Sequence, residues 1–327
     1  MRGLGKYLLK RVLILIPLLI GISIILFGVT KAMPGDPVRF MLPTTLRGEQ
    51  YDIQYAAMER RLGLDRPLHE QYFRWIYNMV VEGDLGYSTL LRRPVNETIG
   101  EPLRNTIILN ACINVFYLLI ALPVGIRMAV KRGSIFDNGW QVFSLAAYSI
   151  PSFFLALTLI FIFSIHLGLF PISGMPNSAL LSGNDLYLEW VRTLVLPVLT
   201  LTIISLAGAI RYVRNALIDA LSQDYIRTAR SKGLSEKVVI YSHAFRNALI
   251  PVSTIIVMTL FSLLAGSAIT EQVFQYHGIG RLLIQAVNGR DQMLISSLTM
   301  MFAFINVVAV LAADIVYGLV DPRIKLK

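Results

Sequence analysis

The chain has 327 residues, 55% of them hydrophobic and only 15% charged, with a formal net charge of +10. Its length would allow one large or two ordinary soluble domains, but a mean hydropathy of +0.62 excludes an ordinary soluble protein and indicates a membrane protein. A hydrocarbon core of roughly 30 Å needs about 20 mostly apolar helical residues. Six runs answer to that, near 12–30, 106–129, 142–167, 193–213, 248–269 and 293–319.

The distribution of charge decides the meaning of its excess. Arg2, Lys6, Lys10 and Arg11 precede the first run with no acid among them, and Arg127, Lys131 and Arg132 follow the second. Arg211 to Arg246 separates the fourth and fifth runs, and Arg323, Lys325 and Lys327 follow the sixth. The alternate segments mix acids and bases. The positive-inside rule therefore places both termini in the cytoplasm, with an even number of crossings. Topology accounts for the positive charge, and nucleic acid is not expected as a partner.

The basic start resembles a secretory signal, but the apolar run is too long and no A-x-A site follows, so it reads as a retained first helix. That helix ends at "MPGDP", 33–37, where Pro34 and Pro37 bracket Gly35. About seventy extracytoplasmic residues follow, too few for a large independent core. Within them Asp65 is expected to cap a helix starting near Pro67, with Leu68, Tyr72, Trp75, Ile76 and Met79 at helical spacing. Its apolar face would pack on the outer ends of the spans, dock an external partner, or do both.

Five further spans follow Asn105. Prolines stand in or at the ends of runs at Pro17, Pro123, Pro151, Pro197 and Pro251, where kinks need their freed carbonyls satisfied by neighbouring helices or water. Prolines are also simply common in membrane helices. Cys112 is the only cysteine and lies in the second run, so no internal disulfide or CxxC site is available. The sequence contains no G-x-x-x-x-G-K-[ST] loop for ATP phosphates and no H-E-x-x-H. His69, His166, His243 and His277 have no metal-ligand spacing. Asp314, a turn or two from the cytoplasmic end of the sixth run, reads as a structural ion pair or cap rather than a proton relay. Glu271, Arg211 and Arg214 at span ends read as interfacial.

The segment "DYIRTARSKGLSEK", 224–237, is more specific than topological charge requires. Asp224 suits the positive end of a short helix, while Arg227, Arg230 and Lys232 crowd toward its negative end and Gly233 suits a left-handed stop. Tyr225, Ile226 and Ala229 fall on one side. That apolar face is small for a membrane surface and fits the groove of a partner protein.

Taken in order, "MPGDP" at 33–37, "GLDRPLHEQYFRW" at 63–75, "GDLGYS" at 83–88, "DYIRTARSKG" at 224–233, "HAFRNALIP" at 243–251, "GIGRLL" at 278–283, "RD" at 290–291 and "DPRI" at 321–324 resemble one family over nearly the whole chain. The chain is similar to permease subunits of binding-protein-dependent ABC importers, in the dipeptide, oligopeptide and nickel branch. The resemblance implies an all-α polytopic fold of six transmembrane helices, the type I importer transmembrane fold, with cytoplasmic termini. It implies a first helix over 1–31, an extracytoplasmic helical insert over 32–102, a transport domain over 103–320 and a cytoplasmic tail over 321–327. The coupling helix, about 222–234, would carry Asp224, Tyr225, Ile226, Arg227, Thr228, Ala229, Arg230, Lys232 and Gly233 into a groove of an ATPase. His243, Arg246, Asn247 and Pro251 would support that loop. Arg227 stands where the general motif has Glu, and His277 and Arg104 each replace a Pro of the family pattern. The implied partners are a second homologous permease forming a heterodimer, two cytoplasmic ATPase subunits that bind the ATP and magnesium, an extracytoplasmic substrate-binding protein, and the bilayer. This chain itself would bind no cofactor and catalyse no reaction.

A peptide is the expected cargo, with nickel, glutathione and oligosaccharides as alternatives in the same branch. An ion-coupled secondary transporter should show midplane acids and repeated broken helices; only Asp314 approaches that. A polytopic enzyme lacks a catalytic pair, and a bare scaffold would leave the ordered features of 224–233 unexplained.

Overall fold

In the computed structural model the described residues are 2–43, 45–176, 182–261, 264 and 266–320. The tail at 321–327, with "DPRI", lies outside them.

Helix α1 spans Arg2–Ala32 and carries Pro17. Asp36 ends the "MPGDP" turn and caps α2 (Pro37–Met41), accepting from the Val38 and Arg39 amides at 2.9 and 3.4 Å. Helices α3 (Glu49–Leu62) and α4 (Leu68–Tyr77) follow, the latter running into a π-helical turn at Asn78–Glu82. Asp65 does not cap α4. The cap position is Pro67, which has no side-chain donor or acceptor to offer, and its fixed φ already presets the first turn. Of the apolar face expected on this helix, Trp75 is buried. Trp75 stacks on Phe27 of α1 at 5.9 Å, Tyr72 meets the same ring edge-on at 5.6 Å, and the Tyr72 hydroxyl bonds Ser23 at 2.8 Å. This face is thus used for packing against the C-terminal half of α1.

A two-stranded antiparallel hairpin, β1 (Tyr87–Ser88) and β2 (Arg93–Pro94), forms the sheet found among the described residues. It leads into α5 (Val95–Val130), which passes unbroken through residue 102. At 1.5 Å per residue its 36 residues extend about 54 Å, well beyond a bilayer core. The run at 142–167 is not one straight span. It is α6 (Ile135–Ser149) and α7 (Ser152–Leu159), continued by a π-helical segment at Ile160–His166, with the two halves bent by 103°. Pro151 disfavours a helical conformation at the preceding residue, and Ile150 is extended, with φ −81 and ψ 124.

Helix α8 (Gly183–Leu221) contains Pro197 and packs along α5, α6 and α7. Short helices α9 (Asp224–Ser231) and α10 (Glu236–Val238) and a π-helical segment at Val239–Phe245 lead into α11 (Arg246–Phe261), which contains Pro251. Helices α12 (Ala268–Val273), α13 (Ile279–Asn288) and α14 (Gln292–Val320) complete the chain, with α14 lying against α1 and α11. Among the described residues four helices are long and apolar enough to cross a membrane, or five when the bent pair is taken as one crossing. The run at 248–269 supplies only the 16 residues of α11 before reaching residues outside the description.

Three polar contacts fix the helix ends. Asp314 pairs with Arg11 at 3.2 Å, joining α14 to α1 as the structural ion pair expected for that acid. Arg214 is not an interfacial side chain reaching for solvent: its Nε and Nη2 hold both oxygens of Asp137 at 2.6 and 2.8 Å, with Asp137 fully buried. Arg211, by contrast, is exposed.

Glu271 likewise does not reach for solvent. It is 1% exposed and accepts from the Thr106 hydroxyl at 3.0 Å and the Arg281 amide at 2.9 Å. Its carboxylate thereby caps the positive end of α13. Burial pushes its carboxyl above the ordinary carboxylate range, against the opposing pull of these hydrogen bonds. A Cβ at Gly278 would collide with that carboxylate and with the Thr106 hydroxyl, so only glycine fits there. His277 is exposed, and its carbonyl accepts from Asn105 at 2.9 Å.

Candidate functional site

Helix α9 forms as the order of its residues predicts. Asp224 occupies the first turn and Arg230 the last, and Gly233 adopts φ +76 just beyond. The Gly233 and Leu234 amides return to the carbonyls of Arg230 and Ala229 at 2.9 and 3.4 Å, closing the helix. Arg230 is braced by Glu236 at 2.7 Å.

The face carrying Ile226 and Ala229 is not available to a partner. Ile226 is 0% and Ala229 5% exposed, buried among Ile126 and Ala129 of α5, Val213 and Leu217 of α8, and Ala248 and Val252 of α11. The apolar spacing was legible, but spacing cannot tell an intramolecular groove from a partner's. Burying an Ile side chain contributes about 1.5–3 kcal/mol, so α9 is anchored on the π-helical segment Val239–Phe245 and, through the cluster that Val239 and Ala244 share, on the ends of α5, α8 and α11.

What faces outward is polar. Asp224 and Arg227 are 98% and 83% exposed in their side chains and lie 3.9 Å apart. Tyr225, Thr228, Arg230, Lys232 and Gly233 are also exposed. Among the expected supporting residues, Asn247 engages the Tyr225 hydroxyl and bonds the His243 carbonyl at 2.9 Å. His243 is half-buried, and Arg246 is exposed. The side chain of Pro251 lies outside the described residues.

A second site was not singled out by sequence reasoning. A cavity of about 400 Å³ lies between α5, α8 and α11, lined by Asn110, Asn114 and Tyr117 together with Ser205, Thr259 and Ser267. Asn114 Nδ2 donates to the Thr259 carbonyl at 3.0 Å. Beside the apolar Ile113 and Leu201, the lining offers amides and hydroxyls with no charged side chain, a surface that can exchange hydrogen bonds with a polar solute without trapping it by ion pairing. The signal was present: Asn110, Asn114 and Tyr117 recur at helical spacing in the otherwise apolar stretch 107–126. No group of three His, Cys, Asp or Glu side chains fit to hold a metal occurs among the described residues.

Comparison with known proteins bears directly on this architecture. Residues 121–326 match the family "Binding-protein-dependent transport system inner membrane component", and 4–110 match the model of its N-terminal region. The chain is 37% identical over 323 residues to the oligopeptide transport system permease protein AppB of Bacillus subtilis, covering 98% of this chain and all of the relative. It is 36% identical over 340 residues to the dipeptide transport system permease protein DppB of Escherichia coli K12, covering 98% and 99%. The glutathione transport system permease protein GsiC of Salmonella paratyphi A is 36% identical over 323 residues, again covering 98% and 99%. Among solved structures, the inward-facing MetNI methionine ABC transporter aligns with a TM-score of 0.51 at 19% identity, over 68% of this chain and 95% of that one, a likeness of fold. With its family model spanning most of the chain, this multi-pass protein belongs to the inner-membrane permease components of binding-protein-dependent transport systems.

Proposed function

We propose that this chain forms half of the translocation pathway of an ATP-driven importer for dipeptides or oligopeptides and works by alternating access. The observation that carries the reading is the seating of α9 on the π-helical segment Val239–Phe245, in one apolar cluster with the ends of α5, α8 and α11, with its charged face turned outward. A force on that face is passed through this cluster to the long helices, which is what a subunit lacking its own phosphate loop needs in order to follow a separate ATPase. Six crossings with both ends cytoplasmic complete the proposed topology, with 1–31 as first helix, 32–102 as extracytoplasmic insert and 103–320 as transport domain.

The proposed assembly pairs this chain with a second, related permease as a heterodimer, two cytoplasmic ATPase subunits that bind ATP and magnesium, and an extracytoplasmic substrate-binding protein. The contact with the ATPase is assigned to Asp224, Tyr225, Arg227, Thr228, Arg230, Lys232 and Gly233, with Ile226 and Ala229 as the anchor and His243, Arg246, Asn247 and Pro251 as support. The names of relatives support a peptide cargo, and the neutral amide and hydroxyl lining suits a peptide backbone. Glutathione, itself a small peptide, is the second reading, favoured by one relative.

Arg227→Ala in the reconstituted complex tests the assignment, because the side chain is exposed and its truncation leaves the anchor intact. Binding-protein-stimulated ATP hydrolysis and peptide uptake should both fall at least severalfold. Unchanged values of both would overturn the coupling role, and uptake persisting without any ATPase subunit would favour an ion-driven transporter.

A further inference from the structure

A cavity of about 430 Å³ lies where the last turns of α1 meet α3, α4, the hairpin and the start of α14. Its wall includes three cations, Lys31, Arg61 and Arg74, and one acid, Asp84. The Lys31 ammonium stands over the Phe27 ring at 5.6 Å, and no carboxylate pairs with any of the three among the described residues. Trp75 also lines the cavity; it is 8% exposed, and its buried Nε1–H has no acceptor. Gln71 lines the same space, with its amide nitrogen committed to the carbonyls of Leu64 and Arg66 and its oxygen left without a donor. Neither orphaned atom has accessible surface, so what the cavity presents to a ligand is its unpaired cations, and these point to an anionic one.

The position of the cavity identifies the ligand's class. The first apolar span ends at Ala32, so Lys31 stands at the membrane surface. On the other side of Phe27 and Lys31, an open groove runs down α1 past Ile24 and Gly28, closed above by Leu68 and Phe73. Phe73, Val80 and Val81 on α4 and its π-helical extension are 67%, 72% and 63% exposed, an apolar edge suited to lipid.

We infer that the cavity holds the headgroup of an anionic phospholipid, with an acyl chain lying in the groove along α1. The phosphodiester takes the three cations. Phosphatidylglycerol, with its net negative headgroup, meets that demand. The lipid would tie the 37–94 segment to the first span, independently of how the cytoplasmic face is driven.

The test is native mass spectrometry of the complex, delipidated and titrated with phosphatidylglycerol or phosphatidylcholine in mixed micelles. Wild type should retain one phosphatidylglycerol that phosphatidylcholine cannot replace. Combining Lys31→Gln, Arg61→Gln and Arg74→Gln should weaken retention by about a hundredfold, given the worth of each basic residue near an anionic surface. Arg61→Gln with Arg74→Gln alone, both at exposed side chains, should weaken it by more than tenfold with an unchanged Tm. Equal retention of the two lipids by wild type, or undiminished retention by the double variant, overturns the proposal. Displacement of the lipid by millimolar glycerol phosphate would assign the site to a soluble phosphate and overturn it as well.

Discussion

Arg214 on α8 grips both carboxylate oxygens of Asp137 on α6, at 2.6 and 2.8 Å across 77 residues of sequence. Asp137 also accepts from the Gly133 amide at 2.9 Å, so the turn between α5 and α6 is held in the same grip. The pair therefore fixes α6 to the end of α8 that carries α9.

Breaking this pair from one side strands a buried charge. Asp137→Ala is expected to destabilise by about 3–5 kcal/mol. Arg214→Lys should recover little, because an ammonium cannot reproduce the fork. Thermal unfolding in detergent checks both.

The two faces of α9 should separate stability from coupling. Ile226→Ala removes a fully buried side chain and should cost about 2–5 kcal/mol, whereas Arg227→Ala, on the exposed face, should stay within about 0.5 kcal/mol. Uptake should respond to Arg227→Ala with the Tm unchanged. A Tm loss at Arg227 equal to that at Ile226 would contradict the packing described for this helix.

Glu271 predicts a pH dependence of definite sign. Its folded-state pKa is raised by burial, so its stabilising contribution is complete below the unfolded value of about 4.3 and is lost as pH climbs through the raised folded value. The Tm of wild type minus that of Glu271→Gln should therefore decline from pH 4 toward neutrality. Parallel curves would contradict it.

Ser88 and Asp291 join the hairpin to the start of α14. Ser88 Oγ donates to Asp291 Oδ2 at 2.5 Å, and the Leu90 and Leu294 amides complete the carboxylate's shell, both at 3.0 Å. Ser88→Ala leaves a buried carboxylate short of a donor and should cost about 1.5–3 kcal/mol. Limited proteolysis between residues 83 and 94 should accelerate accordingly.

What was legible in the sequence was local. The apolar runs, the acid-first order of 224–230 and the stop at Gly233 follow from neighbours a few residues apart. Pro151 was read as a kink within a span, but the size of the bend depends on how α6 and α7 each pack on α8. The burial of Glu271 depends on Thr106, 165 residues away, and the burial of Ile226 on three separate helices. Neither has a signature in its own segment. Asp65 failed as a cap because Pro67 sets the first turn of α4 without one.

The most direct test of coupling through α9 is cross-linking at its outer face. With Cys112→Ser as background and Arg227→Cys in the assembled complex, a short cross-linker carrying a thiol-reactive group at one end and a photoreactive group at the other should join this chain to the ATPase subunit and abolish ATP-driven uptake. A control cysteine at Arg211, exposed on α8, should not cross-link. Failure of position 227 to cross-link in every nucleotide state, with uptake intact, would contradict the account.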